Sequence, residues 1–177
     1  MINKSKIVKL KLKRDISKKV KQGSPWIFED TLSDLPKAAP GSIAKLYDKK
    51  GKFLAFGLYD YQSSLSFRVI TLEDKVPHSE LVTNRIKRSL SIRNILNPKL
   101  TNAYRLINGE GDLLPGLVVD IFNKFAVLQL DGDGPYGFYD RRLIANFIKD
   151  SLSLEGVYFK ARHNSKQISE VLAGQIE

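Results

Sequence analysis

Three stretches of this 177-residue chain carry residue types able to do chemistry. The first, NGEGDLLPGLVVD, brings Glu110, Asp112 and Asp120 close in sequence. Two or three carboxylates beside a glycine-rich turn are hard oxygen donors of the kind that hold Mg²⁺, and a metal there would support hydrolysis. The same residues also suit a plain turn. Gly109, Gly111, Pro115 and Gly116 bend the chain, while Glu110 and Asp112 accept hydrogen bonds from its amides. The turn is the favoured reading, and no metal is expected. His78 and His163 are isolated, so no Ser/His/Asp arrangement has a usable spacing. The second stretch, GDGPYG, matches G-x-G-x-x-G through Gly132, Gly134 and Gly137, after a predicted strand and before a predicted helix. It is rejected as a nucleotide site. Pro135 lacks an N–H where a phosphate needs donors. The next strand ends in Lys160 and Arg162, with no acid for a ribose hydroxyl. A glycine-rich loop between strand and helix is expected instead.

The third stretch is basic. The net charge is +10, and residues 1–22 contain nine Lys/Arg against one Asp. A balance this basic favours a polyanionic partner. Val8, Leu10 and Leu12 alternate with Lys9, Lys11 and Lys13, the period-two pattern of a half-buried strand with an outward row of lysines. Such a row tracks phosphates; it also blunts a sheet edge. Lys18, Lys19 and Lys21 follow on a short helix. With Arg14, Trp26 and Arg68 these lysines form the candidate set for contacting a polyanion such as a nucleic acid. Trp26, the one tryptophan, has two readings. Beside Pro25, Ile27 and Phe28 it suits a buried anchor, the favoured role; beside a basic helix it suits stacking on a base.

Composition narrows the remaining classes. The absence of cysteine excludes disulfides, thiolate metal sites and a cysteine nucleophile, and fits a reducing cytoplasm. No stretch approaches the ~20 apolar residues of a membrane span, so no membrane partner is expected. The basic N-terminus lacks the apolar run of a secretory signal.

The elements that must position these residues divide in two. Residues 1–75 read as a mostly-β unit of about five strands with one or two short helices. The first is the Val8–Leu12 alternation. A helix, Asp15 to Gln22, has Asp15 as N-cap and Gly23 just past its end. Strands Ser42–Asp48 and Phe53–Tyr59 are joined by the turn DKKGK, and Leu65–Thr71 follows. Residues 76–102 read as a connector, with a basic amphipathic helix carrying Val82, Ile86 and Leu90 on one stripe and Leu96 near it. Residues 103–177 read as a small βββαβ unit. Its strands are Ala103–Ile107, Leu117–Phe122, Phe125–Leu130 and Gly156–Ala161, with a helix over Phe138–Leu152. A further helix is predicted from Asn164 through Ile168, Val171 and Leu172. The fold class is α+β.

Three motifs carry a family resemblance. KQGSPWIFED resembles the basic stretch ending in His-Pro-Trp-(Val/Ile)-Phe that opens a group of bacterial class I SAM-dependent ribosomal RNA (cytosine-C5) large-subunit methyltransferases. DKKGKFLAFGLYDYQSSLSFRV resembles that family's D-x-x-G-x-(F/W)-L-A-x-G-x-Y segment with its closing arginine, here Arg68. AYRLINGEGDLLPGLVVDIFNKFAVLQL resembles its Y-R-L-I-x-G-E-x-D-G-L-P-G-L-x-(V/I)-D motif. Departures are Ser24, where histidine is usual, and Leu113, where glycine is usual.

The resemblance implies an N-terminal PUA-like pseudo-barrel that binds RNA, then a small central α/β domain, with a catalytic Rossmann-like domain expected beyond Glu177. Methylating cytosine C5 by that family's route needs a thiolate to attack C6. With no cysteine and no credible cofactor loop, this chain is expected to be the RNA-binding N-terminal portion of such an enzyme. Its partner would be large-subunit ribosomal RNA and its place the cytoplasm. No cofactor site is expected in this chain, with S-adenosylmethionine expected for the full-length family. The alternative is a stand-alone PUA-type RNA-binding module without enzymatic activity.

Overall fold

The computed structural model describes residues 1–3, 6–97, 99–162 and 167–175. The chain divides into two compact units. One holds Ile2–His78 with Asp133–Phe138; the other holds Met1, Ser79–Gly132 and Tyr139–Glu177.

In the first unit, period-two patterning produces a five-stranded sheet. Its strands are β1 (Val8–Lys11), β2 (Trp26–Ile27), β3 (Ser42–Tyr47), β4 (Phe53–Tyr59) and β5 (Phe67–Thr71), in the order β1-β3-β4-β5-β2. β1 lies parallel to β3, with Val8 opposite Ala44, and the other pairs are antiparallel. The β3–β4 hairpin closes on Asp48. Its Oδ1 accepts from the Lys50 and Lys52 amides at 2.9 and 2.8 Å, and Gly51 takes φ 82°. The two edges of the sheet meet. Leu12 bridges Leu32, the Lys13 amide donates to the Thr31 carbonyl at 2.8 Å, and the Ser33 amide donates to Lys11 at 2.9 Å. Inside lie Leu10, Leu12, Ile27, Leu46, Tyr59 and Phe67.

The helix α1 (Ser17–Lys21) is shorter than predicted, and Asp15 is not its N-cap. Ile16 holds that position, and Asp15 instead accepts from the Ser17 amide at 3.1 Å, two residues on. That hydrogen bond also lowers the Asp15 pKa. A short Asx turn thus leads into the helix, because an Asp side chain competes with the helix for nearby amides. The far end follows the sequence reading. Gly23 sits at φ 100°, its amide donates to Val20 at 3.0 Å, and the Ser24 amide donates to Lys19 at 3.0 Å. This pair of bonds is a Schellman motif, which needs a left-handed residue.

The GDGPYG segment is a helix, α3 (Asp133–Phe138), rather than the expected loop, and it packs into the first unit. Pro135 falls in the first turn, where its missing N–H costs nothing. A Cβ on Gly137 would stand 2.0 Å from the Pro40 carbonyl oxygen, and one on Gly41 2.3 Å from the Phe138 nitrogen. The Asn3 amide donates to the Phe138 carbonyl at 2.8 Å. The glycines are there for close backbone approach.

The second unit carries α2 (Ser79–Arg93), β6 (Ala103–Asn108), β7 (Leu117–Phe122), β8 (Phe125–Leu130), α4 (Arg141–Leu152), β9 (Gly156–Phe159) and β10 (Glu170–Gly174). Its sheet runs β10-β9-β8-β7-β6, with only β8–β9 parallel. α2 groups with this unit rather than standing apart; Val82, Ile86 and Ser89 are buried, while Leu96 lies beyond its end and is exposed.

Two predicted elements are corrected here. The single helix over Phe138–Leu152 is broken, because Asp140 caps a new start by accepting from the Leu143 amide at 3.0 Å. The predicted C-terminal helix is instead the strand β10, antiparallel to β9; residues 164–166 of that prediction lie outside the described residues. Leu172 and Ala173 are buried, Ile168 is exposed, and Glu170 pairs with Arg142 at 2.6 Å. The open edge of β9 supplies backbone partners that a helix could not use.

Candidate nucleic-acid interface

The lysine row is outward as predicted. Lys9 and Lys11 on β1 and Lys13 just beyond it are exposed, while Leu10 and Leu12 between them are buried. Lys9 and Lys11 line a shallow depression of about 270 Å³ with Asp34, Tyr47 and Gly51. The edge closure at Leu12–Leu32 brings the end of this row to the segment that follows β2. There Arg14 reaches Asp30 at 3.0 Å, an exposed pair that water screens. On α1, Val20 anchors the helix in the core and Lys18, Lys19 and Lys21 remain exposed.

Trp26 is not the buried anchor favoured from sequence. It is 47% exposed, whereas Ile27 is 1% exposed and takes the core position. Extended backbone alternates sides, so Phe28 points the same way as Trp26 and is 48% exposed. The period-two run Trp26-Ile27-Phe28 puts Phe28 on the side of Trp26, opposite Ile27. Only one of the two sides faces inward, and the smaller Ile27 fills it. Arg68 lies directly across from Trp26 on β5 and is 7% exposed, so it differs from the open lysines. Directly opposed residues of an antiparallel pair project to the same side of the sheet, so Arg68 shares the side of Trp26 but is covered there. Lys45, missed from sequence, is held by Asp74 at 2.6 Å and stacked over Phe53, and the Asp74 hydrogen bond raises its pKa.

The acidic stretch forms ion pairs. Arg93 chelates Asp112 at 2.7 and 2.8 Å, and the Asn108 amide donates to the same carboxylate at 2.7 Å. Arg105 pairs with Asp120 at 2.8 and 3.0 Å, which raises the arginine's pKa. Among the described residues no group of three metal-ligating side chains converges. Gly109–Asp112 is one 3-10 turn, closed by Leu113 at φ 59°.

The GDGPYG segment does not fit an S-adenosylmethionine cradle. Its helix, α3, spends Gly134 against Leu58 and Asp60 and Gly137 against Pro40. Its backbone is therefore closed to a ligand there.

Residues 10–72 match the PUA-like domain family. Over 118 residues the chain is 35% identical to ribosomal RNA large subunit methyltransferase I of Photobacterium profundum, covering 64% of this chain and 30% of that protein. It is 36% identical over 125 residues to the Salmonella arizonae enzyme of the same name, covering 69% and 31%. A ribosomal RNA large subunit methyltransferase of Deinococcus radiodurans is 31% identical over 137 residues, covering 70% and 32%. The chain thus spans about a third of the length of these relatives. Among solved structures, a Streptococcus mutans protein described as a SAM-dependent methyltransferase superposes with TM-score 0.78 at 27% identity, over 96% of this chain and 44% of that one. A methyltransferase complexed with SAH shares the fold, with TM-score 0.77 at 22% identity, over 97% of this chain and 43% of the other. The basic, aromatic-faced unit contains a PUA-like domain, in a chain homologous to the ribosomal RNA large subunit methyltransferases.

Proposed function

We propose that this chain is the RNA-recognition portion of a SAM-dependent ribosomal RNA (cytosine-C5) large-subunit methyltransferase, acting in the cytoplasm. The first unit is read as a PUA pseudo-barrel whose edge closure at Leu12–Leu32 joins the lysine row to the β2 face. The second unit is read as the small central domain that positions the RNA. Methyl transfer, and the S-adenosylmethionine it uses, are assigned to the part of the relatives' length that this chain does not match. The observation that carries the reading is the juxtaposition of exposed Lys9, Lys11, Lys13, Lys18, Lys19 and Lys21 with the exposed Trp26 face on one PUA-like unit. Lysines supply sequence-independent attraction to phosphates, and their release of counterions makes the binding salt-dependent.

The stand-alone RNA-binding module is the second reading. The closed glycine segment favours it, since α3 leaves no room for a cofactor beside Gly134 and Gly137. Against it, the homology to methyltransferases extends well past residues 10–72, over 64–70% of the chain. Both readings require RNA binding. Replacing Lys9, Lys11 and Lys13 together by glutamine is expected to flatten the slope of log K against log salt by up to ~0.7 per lost contact on single-stranded RNA. Fluorescence anisotropy across a salt series measures it. An unchanged slope removes this row from the interface.

A further inference from the structure

We propose that Trp26 and Phe28 form a two-base stacking platform, so that this face selects unpaired RNA over duplex RNA; the proposal rests on the RNA-binding reading above. Both rings are about half exposed on one side of an extended segment, with Ile27 pinned in the core between them. Accessible aromatic faces are the surfaces on which unpaired bases stack. The partner's charge follows from the surroundings. α1 ends at Lys21, shortly before Pro25, and presents Lys18, Lys19 and Lys21, and the Ser24 amide is tied to Lys19 at 3.0 Å. Arg14 covers Asp30, which leaves Glu29 as the nearby acid without that guanidinium. A flat apolar surface rimmed by cations suits a nucleobase whose phosphate is held alongside.

Spacing decides which form of RNA fits. Alternate residues of a strand lie about 6.5–7 Å apart. Successive bases stacked in a helix lie only about 3.4 Å apart. Rings held by Trp26 and Phe28 at strand spacing cannot both cover adjacent bases of a continuous stack. They can cover two bases splayed along an extended single strand. Arg68, directly across from Trp26, lies on that same side of the sheet and is buried.

The test uses the intrinsic emission of Trp26, the only tryptophan in the chain. The full chain is titrated with a mixed-sequence RNA oligonucleotide and with the same oligonucleotide annealed to its complement, while anisotropy of labelled RNA records binding in parallel. Unpaired RNA is expected to quench Trp26 saturably and to bind more tightly; duplex RNA is expected to bind only at low salt and without quenching. Phe28→Ala is expected to weaken unpaired-RNA binding roughly 5- to 100-fold with an unchanged melting temperature, and Phe28→Tyr to restore it. Binding of both forms with no quenching, or equal quenching by both, overturns the platform and leaves the lysine interface standing. No binding of either form overturns the RNA reading and the platform with it.

Discussion

At the scale of single residues, the informative positions are those where side chain and backbone pull apart. Leu113 holds a left-handed φ of 59°, where its Cβ crowds the following carbonyl, and its side chain is half exposed. The relatives' motif, as read from sequence, has glycine at this point of the turn, and glycine adopts this conformation without that crowding. Leu113→Gly is therefore expected to stabilise the chain by about 1 kcal/mol, read as a raised melting temperature. Trp26 and Ile27 make the opposite pair. Ile27→Ala empties a fully buried site and is expected to cost about 2–5 kcal/mol. Trp26→Ala removes a half-exposed ring and is expected to change stability by less than about 1 kcal/mol. Thermal melting of the two variants side by side decides the assignment. A Trp26 variant that melts as early as the Ile27 variant returns Trp26 to the core.

At the scale of elements, α3 shows how a motif acquires a different job in context. Gly132, Gly134 and Gly137 have the spacing of a phosphate cradle, yet Gly132 precedes the helix and Gly134 and Gly137 within it lie against Pro40, Gly41, Leu58 and Asp60. Any side chain at Gly137 meets backbone, which cannot swing aside. Gly137→Ala is expected to destabilise the first unit by about 1–3 kcal/mol, the ordinary cost of overpacking. Denaturant unfolding measures it. A neutral result would mean that α3 does not depend on that approach. The 109–113 turn and α2 follow the same logic: Arg93 reaches across to Asp112, so a carboxylate that resembled a metal ligand in sequence is already fully engaged.

For the whole molecule, alkaline pH is the expected weak point. Burial pushes the Tyr59 hydroxyl up to about 12, and it donates to the Pro36 carbonyl at 3.1 Å. In the unfolded chain the same hydroxyl titrates near 10.0. The folded state therefore keeps a proton that the unfolded state gives up. Stability from this group is intact below pH 10 and falls as pH rises from about 10 through 12. Lys45, held protonated by Asp74, shifts in the same direction. Melting temperature is expected to decline across that window, and Tyr59→Phe is expected to flatten the decline. A flat profile in the parent chain would show that Tyr59 ionises freely.

What was legible in the sequence were the features governed by local spacing. The alternation through Val8, Leu10 and Leu12 determined a strand with its lysines outward. Gly23 and Gly51 marked chain reversals that require positive φ, and β4, β7 and β8 appeared with their observed bounds. The absence of cysteine and the basic N-terminus bounded the chemistry before any fold was known. Tertiary structure alone decided the rest, because those outcomes depend on partners distant in sequence. Whether Trp26 or Ile27 faces inward depends on which side of β2 the core occupies, and a two-residue strand carries too few positions to declare it. Residues 168–172 have helical spacing, but the free edge of β9 offers hydrogen bonds that make them a strand. The glycines of α3 read as a ligand loop until the backbone of Pro40, nearly a hundred residues earlier, fills the space beside them. Local periodicity sets what a segment prefers; burial and backbone pairing, which only the folded chain defines, set what it becomes.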